Sequence, residues 1–256
     1  STLRTAGKPP KKDWASVYEL MKALRSDRTA PVDYFGSEAL VANEADPRVR
    51  EFQTLVALML SSQTKDEMVA KAMRKLQQHG LTVDIISKTS EEKVKELIYG
   101  VGFYNRKTDY IKRATEILVE KHGGRVPDSL KDLEELPGVG PKMSCIIMNV
   151  AFGRHDVGIG VDTHVHKLTQ KLGWVTAKSK NAEDTRRQLE SWLPQELYGE
   201  INLLLVGFGQ EVTQQKEKLL RKAVNHSDPA AAVQLLRCLG MNVEKVAQKS
   251  DIKLNF

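Results

Sequence analysis

Leu136–Cys145 reads LPGVGPKMSC: two glycines and two prolines crowd a short turn, a lysine follows at once, and an apolar helix begins. The segment before it, DSLKDLEEL (128–136), has helical spacing, with Asp128 or Ser129 as its cap. The segment after it, KMSCIIMNVAFG (142–153), is the most apolar helix candidate in the chain. A helix, a Leu-Pro-Gly-Val-Gly turn and a second helix form a helix-hairpin-helix pattern. Glycines admit backbone angles and close approaches that a Cβ forbids. Such a turn aims consecutive N–H groups outward, and the next helix adds its own unpaired N–H groups and positive dipole end. That geometry holds a phosphate without reading base sequence. An ordinary turn between packed helices rarely requires so many constraints together.

Working outward, the 3.6-residue period continues almost everywhere. WASVYELMKALRSD (14–27) is amphipathic, and residues 48–80 read as two helices, one mostly apolar and one amphipathic, separated by SSQTKDE. Residues 90–127 read as a short helix, a GVGFYN turn, a long helix and a Gly-Gly stop before proline. Further helical segments follow: VDTHVHKLTQKLGW, NAEDTRRQLESWLP, QELYGEINLLLVGFGQEVTQQ, PAAAVQLLRCLG and NVEKVAQKS. Few segments alternate as strands, so the fold class is all-α, with many short helices joined by short turns. The glycine-rich loop GRHDVGIGVD (153–162) is the best internal break.

Composition bounds the partners. The chain has 256 residues, 41% hydrophobic and 28% charged, with a net charge of +6. That excess admits a polyanion such as nucleic acid. No stretch is long and apolar enough to span a membrane. Two cysteines, Cys145 and Cys238, cannot build a disulfide framework or a four-thiolate metal site, which points to a reducing compartment. Cys145 reads as core. Residues 1–12 are basic with no apolar centre, and a flexible tail is expected there rather than a secretory signal.

Lys142 is the first candidate for chemistry. An amine at a helix N-terminus, beside apolar residues, has dipole repulsion and desolvation as two reasons to favour its neutral form. A neutral lysine is a nucleophile that forms Schiff bases. The alternative is one more phosphate contact. VDTHVH (161–166) supplies a partner: Asp162 lies 20 positions on, beyond one helix and a glycine loop. It also has the place of an N-cap, and both roles are compatible. His164 and His166, two apart, point to different sides of a helix and lack the i, i+4 spacing of a metal pair. LSSQTKD (60–66) and GVGFYNRK (100–107) each put polar or aromatic groups at a helix–turn junction, and Arg106, Lys107, Lys112 and Arg113 interleave cations with aromatics. A solvated helix face explains that charge run equally well.

Together, LMLSSQTKD, VGFYNRK, LPGVGPKM, VDTHVHK and LLVGFGQ resemble, in order and spacing, the endonuclease III family, closer to its eukaryotic branch. These are helix-hairpin-helix DNA glycosylases that also cleave at abasic sites. The resemblance covers roughly residues 15–212. It implies a six-helix barrel domain at 45–154 and a discontinuous helical domain at 13–44 plus 155–256, with DNA in the cleft between them. It implies Lys142 as the Schiff-base lysine and Asp162 as the catalytic aspartate. Gly138, Val139 and Gly140 match the hairpin that holds a DNA phosphate through backbone N–H groups. Gln63 matches a residue that fills the gap left by a flipped nucleotide, and Phe103 falls at the wedge position. Arg106, Lys107 and His164 complete the expected DNA contacts. The partner would be double-stranded DNA carrying oxidised pyrimidines (thymine glycol, 5-hydroxycytosine) or abasic sites, bound by a monomer without membrane association, in the nucleus and/or mitochondrion.

Two departures matter. The family usually carries four cysteines after the GFGQ block, ligating an iron–sulfur cluster. Here Thr213 stands near the first ligand and only Cys238 remains nearby, so no cofactor, cluster or other metal is expected. Helices packed by Leu235, Leu236, Leu239 and Val243 are expected in its place. Adenine-specific relatives carry a catalytic glutamate where Ala57 stands, which disfavours that reading. The competing readings are a non-catalytic helix-hairpin-helix DNA-binding module and a helical protein-binding scaffold. The scaffold reading leaves the hairpin, its lysine and the aspartate unexplained.

Overall fold

The computed structural model describes residues 7–41 and 43–254. All regular structure among them is helical, in agreement with the periodicity. The chain divides into two compact units, 34–160 and 1–33 with 161–256.

The 34–160 unit is organised around Pro47–Ser61. Asp46 caps this helix, its side chain accepting from the Arg48 N–H at 2.9 Å. Pro47 begins it with a residue that has no N–H to satisfy. Every residue from Glu51 to Leu60, Ala57 included, is buried, so the helix is wrapped on all sides. Pro141–Phe152, Tyr104–His122, Asp66–His79 and Ser37–Val41 pack on it. Phe52, Leu55, Leu76, Ile111, Leu118 and Ile147 belong to one apolar core. Each such side chain contributes about 1.5–3 kcal/mol on burial.

The sequence reading grouped residues 34–44 with the discontinuous domain; here Ser37–Val41 packs on Pro47–Ser61. Leu40 lies against that unit's core, and its carbonyl accepts from Gln77 Nε2 at 3.0 Å. The second division, between 160 and 161, falls inside the glycine-rich loop.

In the other unit the central helix is Tyr198–Gln214, buried continuously from Leu204 to Val212. Trp14–Leu24, Thr163–Lys171 and Lys216–Val224 pack against it. Trp14–Leu24 stops short of the anticipated residue 27, and Arg25, at its C-cap, turns inward as an ionic pin. Its guanidinium donates to Glu211 Oε1 at 2.9 Å and to Asp33 Oδ1 at 2.8 Å, all three side chains being nearly fully buried. Gly207 makes the room: a Cβ there would lie 2.1 Å from the guanidinium. Burial raises the Glu211 pKa, and the charge of Arg25 opposes that rise. Trp192 stacks edge-on with Trp14 at 5.3 Å and Trp174 at 5.9 Å, and donates from Nε1 to the Trp174 carbonyl.

After Gln215 come Lys216–Val224, Pro229–Cys238 and Val243–Lys249. The first was not anticipated. Leu235, Leu236, Leu239 and Val243 are buried as expected. Residues 1–6 of the anticipated tail lie outside the described residues. Residues 7–12 are irregular but not detached: Gly7 meets the Ser191 backbone so closely that a Cβ would lie 2.5 Å from the Ser191 carbonyl oxygen, and Lys11 lies over Gly173. Among the described residues no helix is long and apolar enough to cross a membrane.

Candidate nucleic-acid interface

The hairpin joins Leu130–Glu134 to Pro141–Phe152. Ser129 caps the first helix, accepting from the Asp132 N–H at 3.2 Å. Ser144 Oγ donates to Glu134 Oε1 at 2.8 Å and ties the two helices together. Gly138 has φ +82, the left-handed region where a side chain is strained, and a Cβ would lie 2.5 Å from the Tyr110 ring. The fold itself therefore demands glycine at 138. It makes no such demand at 140, where φ is −123 and a Cβ would meet nothing within 4 Å. The glycine at 140 has no reason inside the protein, and close approach by something outside supplies one.

Val139 departs from the sequence reading. Its side chain is buried, and its N–H donates to the Leu136 carbonyl at 3.1 Å, closing the turn. It is not available to a phosphate. The N–H groups of Gly138 and Gly140 carry no hydrogen bond among the described residues. Beyond them the first turn of Pro141–Phe152 presents its unpaired N–H groups at the positive end of the helix.

Lys142 sits in that first turn and is exposed. The sequence expectation of desolvation by apolar neighbours fails. Ser144, Cys145, Ile147 and Met148 turn inward while Pro141 and Lys142 turn out.

Two further loops of the same unit join the hairpin. Gln63 follows Pro47–Ser61, and Phe103 is the residue before Tyr104–His122. Both are non-glycine residues in the left-handed region, at φ +50 and +55. Each such residue costs on the order of 1–3 kcal/mol unless its surroundings fix it. Gly102 lets the loops touch, since a Cβ would lie 2.4 Å from the Gln63 carbonyl oxygen. Gln63 is exposed, and Phe103, a large apolar ring, is 60% exposed. Gln63, Phe103, Arg106, Tyr110 and Gly138 line a recess of about 160 Å³. Lys107 lines it too, so the structure gathers five sequence-predicted residues at one recess.

Lys107 behaves differently from its neighbour Arg106, which is exposed. It is 4% exposed, and its ammonium donates to the Leu60 carbonyl (2.7 Å), the Ser62 carbonyl (2.6 Å) and Thr64 Oγ1 (2.9 Å). Burial pulls its pKa down to about 8, while three acceptors favour the charged form. All three donors are taken by the protein itself, which leaves none for a phosphate and departs from its reading as a DNA contact.

Asp162 and His164 belong to the other unit. Asp162 caps Thr163–Lys171, Oδ1 accepting from the Val165 N–H at 2.8 Å, and the second carboxylate oxygen stays outside the cap. His164 is half-buried against Gly209, where a Cβ would lie 2.7 Å from its Nδ1. His166 faces away from it, to Thr185 at 2.7 Å. His164 is thus partly committed to packing. Sequence reasoning missed Tyr110, Ser62 and Thr64. Tyr110 was legible at i+4 from Arg106, on the same helix face.

A family model described as "HhH-GPD superfamily base excision DNA repair protein" matches residues 56–195. Endonuclease III-like protein 1 of Bos taurus is 48% identical over 78% of this chain and 65% of its own length. The Gallus gallus protein of the same name is 46% identical, over 78% and 70%. The endonuclease III homologue of Schizosaccharomyces pombe is 46% identical, over 80% and 58%. The chain therefore spans about two thirds or less of the length of most of these relatives. A trapped covalent endonuclease III–DNA intermediate is similar at TM-score 0.64 and 25% identity, over 77% of this chain and 86% of that one. A non-covalent endonuclease III–DNA complex shares the fold at TM-score 0.67 and 23% identity, over 93% and 99%.

Proposed function

Because this chain belongs to the endonuclease III family, within the HhH-GPD superfamily of base excision DNA repair proteins, we propose that it is a DNA glycosylase with abasic-site lyase activity on oxidised pyrimidines. The single observation that carries the reading is the hairpin. Gly140 is a glycine the fold does not need, two N–H groups stand unbonded among the described residues, and Lys142 follows in the first turn of the helix.

The chemistry follows from those groups. The phosphate held at the hairpin registers the strand, and the damaged nucleotide leaves the stack because its base pairs and stacks poorly. Gln63 and Phe103 occupy the space it vacates. The nucleotide covering Lys142 supplies the desolvation that the chain does not. Lys142 Nζ forms a bond to C1′ as the glycosidic bond breaks, and the base leaves with the electron pair and takes a proton. Asp162 stabilises the cationic character of the sugar through its uncapped oxygen and helps move protons. Opening of the sugar ring gives an iminium. It acidifies the C2′ proton, whose loss expels the 3′ phosphate by β-elimination. Water then hydrolyses the imine and frees Lys142.

The trapped covalent DNA intermediate of endonuclease III, a similar structure, supports this route. The test is strand cleavage of a thymine glycol duplex. The wild type should release the base and nick the strand, and Lys142→Gln should do neither. Nicking that persists in the variant overturns the assignment.

On this reading the substrate is double-stranded DNA, bound by a monomer, and the compartment is the nucleus and/or mitochondrion. The protein works without an iron–sulfur cluster or other cofactor. Its two cysteines lie in different units, and Thr213 Oγ1 donates back to the carbonyls of Gly209 and Gln210. The apolar contacts of the last three helices do the holding that a cluster would otherwise do. Purified protein should contain no stoichiometric iron or sulfide, and finding either would refute this.

A further inference from the structure

We propose that Lys107 is a positioning residue for base extrusion: its ammonium fixes the loop after Pro47–Ser61 so that Gln63 stands beside Phe103 at the mouth of the recess. The proposal deepens the glycosylase reading and rests on it.

All three donors of the ammonium are used, and each tether has a different place in the chain. The Leu60 carbonyl belongs to the last turn of Pro47–Ser61, where carbonyls lack helical partners. The Ser62 carbonyl belongs to the residue immediately before Gln63. Thr64 Oγ1 belongs to the residue immediately after, and it also accepts from the Gly102 N–H at 3.1 Å. One cation therefore clamps Gln63 on both sides and, through Thr64, the residue preceding Phe103. Between the clamps Gln63 is held at φ +50, and beyond Gly102 Phe103 is held at φ +55. Two adjacent left-handed non-glycine residues persist only where something over-determines them.

Helix ends are commonly closed by a glycine in the left-handed region or by water. A buried lysine is a costly substitute for stability alone, since its charge must be taken out of water. What it provides is a fixed aim for two exposed side chains that the fold does not otherwise use. Lys107 lies at the back of the same recess, 4% exposed, and its three donors are spent on the loop, so it acts through Gln63.

The consequence is selective. Gln63 matters when a base must be displaced and its space filled, and matters less at a preformed abasic site. The experiment compares the full chain as wild type, Lys107→Met, Gln63→Ala and the double variant. Single-turnover base release from a thymine glycol duplex is measured beside cleavage of a preformed abasic duplex. Lys107→Met should slow base release about ten-fold or more, the order lost with a positioning contact, and abasic cleavage less than about three-fold. The double variant should be no slower than the slower single variant. Equal loss on both duplexes, or losses that multiply in the double variant, would overturn the proposal. If Lys107→Met fails to fold, Thr64→Val removes the shared acceptor and should show the same selectivity, and its absence is equally fatal. A wild type that cuts neither duplex overturns the glycosylase reading, and this proposal with it. A wild type that cuts both, beside variants without selectivity, overturns this proposal alone.

Discussion

Replacing each hairpin glycine by alanine separates what the fold needs from what DNA needs. At Gly138 the alanine must adopt φ +82, and its Cβ starts 2.5 Å from the Tyr110 ring. The left-handed backbone costs about 1–2 kcal/mol, and relieving the overlap adds on the order of 1–3 kcal/mol. Gly138→Ala should therefore lower the melting temperature by roughly 4–20 °C, at about 2–4 °C per kcal/mol for a chain of this size. At Gly140 the extended φ of −123 and the open space around a Cβ remove both penalties. Gly140→Ala should be neutral or more stable by about 0.4–1 kcal/mol, because the unfolded chain loses freedom. Its damage should appear in binding. A methyl between the backbone and a phosphate forfeits a charge-assisted hydrogen bond of about 1.5–3 kcal/mol, roughly ten- to a hundred-fold in Kd. Thermal melts paired with titration of a duplex bearing an uncleavable abasic analogue read both quantities. Unchanged affinity in Gly140→Ala would refute the argument that a phosphate approaches Gly140.

Other outcomes follow from the packing and the charges. Arg25→Met strands Asp33 and Glu211 in the interior and should destabilise the protein by about 3–5 kcal/mol, seen as a lower urea midpoint. Lys107 makes stability pH-dependent with a defined sign. Its pKa falls from the ordinary 10.5 to about 8 in the folded protein. Between those values the unfolded chain binds more protons, so this group's contribution to stability rises with pH and is flat below about 8. Urea titrations across pH 8 to 10.5 should show a smaller rise in Lys107→Met than in the wild type, and identical slopes would contradict the buried ammonium.

The helices were legible because their faces repeat: Pro47–Ser61, Asp66–His79 and Tyr104–His122 fall where the apolar spacing placed them. The same spacing held the answer for Lys107. It shares a stripe with Ile111, Ala114 and Leu118, at offsets of four, seven and eleven, and these are all buried. Counting charges made Arg106 and Lys107 equivalent, whereas one position along a helix turns a side chain by about 100°. Val139 was not legible, because whether a turn N–H points out or closes on Leu136 depends on the φ of Gly138. The exposure of Lys142 depends on which residues of one turn meet the core. Lys216–Val224 was missed because its charges mask a stripe of only Leu219, Leu220 and Ala223. The ionic pin joins Arg25 to Glu211, residues that no short-range pattern connects.

Borohydride reduction tests the central claim most directly. A Schiff base between protein and sugar, once reduced, leaves a permanent crosslink. Incubating the wild type with thymine glycol duplex and borohydride should give one covalent complex, with the DNA remnant mapped by peptide mass spectrometry to Lys142. Lys142→Gln should give none. A crosslink mapped to another residue, or one that survives the substitution, would contradict the assignment of Lys142 as the nucleophile.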